Sequence, residues 1–239
     1  MATYVLVPGG AHGGWCYQPV ARILRQAGHD VYTPTLTGVG ERAHLLRPDI
    51  DLGFHINDVV QLLHYEDLRD VIIAGHSYGG MVITGVADRA TDRIGHIVYL
   101  DAATPVNGES LADISATLAA AARDGSRVVD GIELTLFPGD EPMPHYGVTD
   151  PDTIAWMDGK VTPHPVKCFT QPLQLHNEAA LWEIPQTHIP CTSTRPHRDP
   201  ARWEKALAAD RVWDIDTGHD LMLSEPKAVA ELLLRVPTA

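Results

Sequence analysis

Short, wholly apolar runs alternate with amphipathic stretches through the first hundred residues, and that rhythm restricts the chain to an α/β architecture. Tyr4-Val5-Leu6-Val7 predicts a strand closed by Pro8-Gly9-Gly10. Gln18 to Ala27 places Val20, Ile23, Leu24 and Ala27 on one helical face, and Gly28 stops that helix. Asp30 to Thr33 predicts a second strand and Ile56 to Leu63 a second helix. Val71-Ile72-Ile73-Ala74 has no polar face at all, as expected of a parallel strand covered on both sides. A helix over Gly79 to Arg89 and a strand over Ile94 to Leu100 complete the series. Strands separated by helices join as parallel neighbours through right-handed crossovers.

The rhythm lapses between Pro105 and Pro185. One Ala-rich helix (Leu111 to Arg123) is followed by loops carrying Pro138, Pro142, Pro144, Pro151, Pro163, Pro165 and Pro172. A long irregular stretch inside a compact domain is usually functional, and a lid over a site is the expected role. Strands at Thr187 to Thr192 and Val212 to Ile215, with helices at Pro200 to Ala209 and Pro226 to Leu234, then resume the pattern. The expected organisation is a core of residues 1–105 and 186–239 with a lid insertion at 106–185.

Bulk properties exclude several classes of function. A formal charge of -13 is the wrong sign for nucleic acid. No apolar run is long enough to span a bilayer, and Thr3 to Val7 reads as a strand, not as part of a signal peptide. Three widely spaced cysteines (Cys16, Cys168, Cys191) form neither a disulfide framework nor a ligand pair, which fits a reducing, cytoplasmic setting. The thirteen histidines show no H-x-x-x-H spacing, so no metal is expected. No cofactor is implied, and the expected state is a monomer or homodimer acting on a small molecule.

Gly75-His76-Ser77-Tyr78-Gly79 lies between the apolar strand at Val71 and the helix from Gly79. G-x-S-x-G at a strand-to-helix turn holds a serine in a strained conformation with its Oγ projecting from the sheet. A glycine-rich turn with an incidental serine would explain the motif alone, but not its setting. Ser77 is therefore the candidate nucleophile. The backbone N–H of Tyr78 and that of Gly10, in the loop after the first strand, are the candidate oxyanion donors. His219, in Asp216-Thr217-Gly218-His219-Asp220 after the last strand, is the candidate base. His76 is expected to point away from Ser77, and His12 to line the pocket.

These blocks resemble the esterase and hydroxynitrile lyase branch of the α/β-hydrolase family, which includes plant methylesterases and small bacterial esterases. The resemblance is carried by Val5 to Trp15, Gly75 to Gly80, Val98-Tyr99-Leu100-Asp101-Ala102, Gly218-His219 and Glu225-Pro226. It implies an α/β-hydrolase fold, no cofactor, and a serine carboxylic ester hydrolase acting on small uncharged esters through an acyl-enzyme.

Three departures stand out. Pro8 replaces the histidine that relatives usually carry before the first glycine. Thr194 falls where the triad aspartate normally follows the strand ending at Cys191-Thr192, and Asp199 is the next carboxylate. Asp101, by contrast, ends the strand after the nucleophile's own, from which some lipases of the wider fold take their acid. Asp101 is thus preferred as the acid over Asp199, with Asp216 third; a capping role is the alternative for Asp101. Trp156, Phe169, Leu173, Leu175 and Trp182 either line an apolar pocket or form the lid's own core. A hydroxynitrile lyase is disfavoured, because the resembled lyases place a lysine after the histidine, where Asp220 stands, and a threonine in the loop that here reads Gly9-Gly10-Ala11. A non-catalytic small-molecule receptor is disfavoured by the intact serine and histidine.

Overall fold

The computed structural model describes residues 1–139, 144–197, 199–200, 204 and 209–236. Its centre is a six-stranded sheet of β1 (Thr3–Val7), β2 (Asp30–Tyr32), β3 (Val71–His76), β4 (Ile94–Leu100), β8 (Gln186–Ile189) and β9 (Arg211–Val212). The spatial order is β2-β1-β3-β4-β8-β9, with every pairing parallel. All six residues of β3 are buried, which is why this strand carries no polar alternation.

Helices cover both faces. α1 (Gln18–Gln26) and α9 (Pro226–Arg235) pack over Tyr4, Leu6, Ile72 and Val98. α2 (Leu52–Tyr65) and α3 (Gly79–Arg89) pack over Val5, Val7, Val71 and Ile73. Alternate strand residues thus feed two separate apolar layers, the expected outcome for a sheet buried on both sides. α2 starts a turn earlier than its apolar spacing suggests, because the Asp51 side chain accepts a hydrogen bond from Phe54 N–H at 2.8 Å and caps it.

The last two strands are shorter than expected. Thr187 to Thr192 and Val212 to Ile215 shrink to β8 and β9, and the ladder continues only as an isolated bridge between Cys191 and Ile215. Pro190 interrupts donation at the gap. The helix expected over Pro200–Ala209 lies largely outside the described residues.

The intervening segment differs more. The helix expected over Leu111 to Arg123 is two helices, α4 (Leu111–Ile114) and α5 (Ala116–Asp124), because Ser115 is extended (φ -121°, ψ 107°). Ser110 and Ser115 each accept a hydrogen bond from a backbone N–H of the helix that follows. Local capping therefore overrides one continuous Ala-rich helix. Strands also appear where none were expected: β5 (Arg127–Val129), β6 (Ile132–Thr135) and β7 (His164–Pro165) form a small antiparallel sheet. Pro165 ends its short edge strand, a tolerated position for proline. α6 (Pro151–Met157), α7 (Lys167–Thr170) and α8 (Glu178–Glu183) follow.

A buried carboxylate ties this segment to the core. Asp88, in the last turn of α3, accepts hydrogen bonds from His176 N–H at 2.9 Å and from Asn177 N–H at 2.7 Å, just before α8. Asp88→Ala leaves both donors without their acceptor. We expect it to lower stability by about 2–3 kcal/mol in urea denaturation, with Asp88→Asn costing less because its amide oxygen still accepts.

Candidate active site

Ser77 sits at the turn from β3 into α3 with φ +52°, in the left-handed region that a residue bearing a side chain seldom adopts. The surroundings enforce it. Ser77 N–H donates to Leu100 O at 3.3 Å, and Ser77 O accepts from Ala103 N–H at 3.0 Å and Gly80 N–H at 3.1 Å. A Cβ on Gly75 would fall 2.6 Å from Gly79 O, so the reversal is too tight for side chains at the flanking positions.

His219 reaches Ser77 from the loop after β9. Its Nε2 lies 2.9 Å from Ser77 Oγ, and its Nδ1 2.6 Å from Asp101 Oδ2. With Nδ1–H donating to the carboxylate, Nε2 is the acceptor for the serine hydroxyl. The loop is held on both sides of the histidine. His76 Nε2–H donates to His219 O at 2.9 Å, and Asp220 N–H donates to Tyr146 O at 3.0 Å. His76 therefore faces the histidine's backbone while leaving Ser77 Oγ alone.

Asp101 ends β4 with φ +45° and a buried carboxylate. Oδ1 accepts from Cys191 N–H at 3.0 Å and from Thr194 Oγ1–H at 2.7 Å, leaving Oδ2 to His219. Thr194, which occupies the position expected to hold the acid, instead donates to the carboxylate that faces the histidine. Asp199 is exposed. Asp216 is also exposed, accepting from Thr192 Oγ1–H at 2.5 Å.

A narrow pocket opens over Ser77. Gly10, His12, His76, Tyr78 and His219 line its core side, and Leu118, Leu136, Tyr146 and Phe169 line the other. Of the aromatic and leucine residues singled out in the sequence, only Phe169 reaches it. Leu173 and Leu175 are buried in the core beside α3, and Trp156 and Trp182 are partly exposed. Leu118, Leu136 and Tyr146 were missed, since ordinary apolar residues in an irregular segment carry no local signal. The N–H groups of Gly10 and Tyr78 both border the cavity and have no hydrogen-bond partner among the described residues.

Behind Tyr78 lies a buried cluster of His55, His164 and Cys168, close enough together to suggest a metal site. Both ring nitrogens of His55 are already committed, while His164 Nε2 has no hydrogen-bond partner among the described residues. His55 Nδ1 accepts from Tyr78 Oη–H at 3.0 Å and its Nε2–H donates to Thr37 O at 2.9 Å. His164 Nδ1 accepts from Ala11 N–H at 3.1 Å, and burial holds the Cys168 thiol protonated. This is a hydrogen-bonded scaffold that supports the site from behind.

Burial lowers the pKa values of His55, His76, His96 and His164, that of His76 to about 3 and that of His96 to about 4. These rings are neutral in the fold and gain a proton on unfolding once the pH is below about 6.5. The unfolded chain then binds more protons, so stability falls as pH drops from about 6.5 toward 4. We expect chemical denaturation at about pH 5 to show a loss of several kcal/mol against pH 7, the slope approaching about 1.4 kcal/mol per pH unit for each such ring.

The comparisons with known proteins agree with this architecture. A profile described as the alpha/beta hydrolase family matches residues 4–232. The chain is 36% identical over 244 residues to the carbendazim hydrolyzing esterase of Nocardioides sp. (strain SG-4G), with 98% of each chain covered. It is 29% identical over 112 residues to the putative methylesterase 11, chloroplastic, of Arabidopsis thaliana, a stretch covering 46% of this chain and 29% of that protein. Among solved structures, an extracellular alpha/beta-hydrolase from a Paenibacillus species shares the fold, with a TM-score of 0.79 at 24% identity over 98% of both chains. With a single family profile spanning the core from the first strand to the final helix, the chain belongs to the alpha/beta hydrolase family.

Proposed function

We propose that this chain is a serine carboxylic ester hydrolase acting on small, uncharged esters. The observation that carries the reading is the unbroken hydrogen-bonded line from Asp101 through His219 to Ser77, ending at an oxygen held on a strained turn beneath a cavity. Ser77 Oγ attacks the ester carbonyl while its proton passes to His219 Nε2. Asp101 fixes the imidazole's tautomer and stabilises the imidazolium that forms. The N–H groups of Gly10 and Tyr78 stabilise the tetrahedral oxyanion. The imidazolium then protonates the departing alcohol, leaving an acyl-Ser77. A water deprotonated by His219 attacks this ester, and collapse releases the acid and returns the proton to Ser77 Oγ.

The cavity supports the substrate class. Its far wall of Leu118, Leu136, Tyr146 and Phe169 offers no charged group to a substrate. All four come from residues 106–185, which we read as the lid. The esterase names of the Nocardioides and Arabidopsis relatives point to the same chemistry. Where the resembled lyases carry a lysine, this chain has a buried Asp220 bonded to His12, which leaves no cation at that position to receive cyanide. The three cysteines are buried and none is joined in a disulfide, in keeping with a cytoplasmic setting.

Ser77→Ala is expected to lower kcat/KM for p-nitrophenyl acetate by about 10³-fold or more and to abolish labelling by a fluorophosphonate. Retained turnover or labelling in that variant overturns the reading. Asp101→Asn can no longer accept from His219 in the required tautomer and is expected to lower kcat by about 10³- to 10⁴-fold, with Asp199→Asn near wild type. The reverse ranking would move the acid to Asp199.

A further inference from the structure

The donor assigned to Gly10 raises a physical problem. A glycine backbone has the widest conformational freedom of any residue, so a glycine N–H is a poor preorganised donor unless its peptide planes are fixed from outside. A side chain would also crowd the pocket: a Cβ on Gly10 would fall 3.0 Å from Phe169 Cζ and 3.2 Å from Leu136 Cδ1.

The planes on both sides of Gly10 Cα are fixed, and His12 fixes most of them. His12 N–H donates to Gly9 O at 3.4 Å. In a trans peptide the N–H points opposite the carbonyl, so holding Gly9 O aims Gly10 N–H. His12 Nδ1–H donates to Gly10 O at 2.8 Å, and the N–H of that second peptide, on Ala11, donates to His164 Nδ1. The other ring nitrogen of His12, Nε2, lies 2.9 Å from Asp220 Oδ2. Both residues are buried.

From this geometry we infer that His12, held as an imidazolium by Asp220, is a positioning residue that aims the Gly10 N–H at the oxyanion. The inference rests on the ester-hydrolase reading of the same site. Gly10 O can only accept, so Nδ1 carries a proton. The proton between Nε2 and Asp220 belongs on the imidazole, whose ordinary pKa exceeds that of a carboxylate by more than two units. The aromatic surroundings favour a cation there: Trp15 stacks on the ring at 5.4 Å and Tyr146 meets it at 4.9 Å. Burial alone would discharge His12, but the charge and hydrogen bond of Asp220 outweigh it and raise the ring's pKa. Burial likewise opposes the Asp220 carboxylate, and His12, with smaller help from His76 and His219, brings its pKa below the ordinary value. Other titratable groups near the pair are His76, with Nε2 3.8 Å from Asp220 Oδ1, His164, His219, Cys16, Tyr17 and the Tyr146 phenol; burial keeps the His76, His164, Cys16, Tyr17 and Tyr146 side chains neutral.

The test separates this role from simple packing. His12→Ala combined with Asp220→Leu removes the pair without leaving a buried lone charge. It is expected to lower kcat for p-nitrophenyl acetate on the order of 100-fold, as loss of an oxyanion donor does, with KM changed less than about threefold. His12→Asn combined with Asp220→Asn places an amide N–H where Nδ1 was. It is expected to restore kcat to within about tenfold of wild type, because the clamp on Gly10 O returns. In wild-type protein, ¹⁵N NMR is expected to find both His12 ring nitrogens protonated at about pH 7, where a free imidazole is mostly neutral. The inference is overturned by an unchanged kcat in the first variant, by a loss confined to KM, by no recovery in a folded second variant, or by a singly protonated ring. Wild-type protein that neither hydrolyses the ester nor is labelled at Ser77 defeats the hydrolase reading instead, and the NMR result then still decides the state of His12.

Discussion

The Asp101 carboxylate joins three separate pieces of chain. It lies at the end of β4, accepts a backbone N–H and a threonine hydroxyl from the segment leaving β8, and receives the imidazole of His219 from the loop after β9. A buried carboxylate with fewer donors would be costly, and one with none would take up a proton. Among the described residues, three partners offset that cost while the carboxylate holds the histidine. The neighbouring turn at Ser77 depends on the same strand, since Ser77 N–H bonds to Leu100 O, one residue before Asp101. Ser77 and Asp101 are therefore registered against each other through one pair of adjacent parallel strands, β3 and β4.

The strained backbone at Ser77 and Asp101 follows the same logic. Both have φ near +50°, and both are held by hydrogen bonds from parts of the chain distant in sequence. Such conformations persist only where the surroundings over-determine them, and here they occur at the two strand ends that must turn functional atoms toward one another. The loop carrying His219 is braced from the opposite side. Gly218 packs so closely on Gly147 that a Cβ would fall 2.6 Å from Gly147 O, and Tyr146 O accepts from Asp220 N–H. The segment that walls the cavity thus also positions the histidine.

What could be read from the residues alone followed the range of the interactions involved. The core strands and helices were legible because burial writes a local period into the sequence, as in Val71 to His76. Ser77 was legible because its motif, strand and helix are contiguous. Asp101 was reachable through the missing aspartate after Cys191 and the resemblance to lipases that take their acid from the strand after the nucleophile's, and Thr194, in the usual acid position, donates its hydroxyl to it. The segment from 106 to 185 was poorly legible, since serine caps divided one expected helix and a three-stranded sheet formed among prolines. The pairing of His12 with Asp220 spans 208 residues and leaves no mark on either local pattern.

Moving the carboxylate onto β4 has a further effect on the stretch of chain after Cys191. In the usual arrangement that stretch must deliver an acid at a set distance, so its length and course are tied to the chemistry. Among the described residues, that stretch gives Asp101 one amide and one hydroxyl, both delivered within four residues of β8's exit bridge. What the turn after β8 must keep in place is therefore an amide and a hydroxyl, where the usual arrangement demands a carboxylate at a fixed spacing.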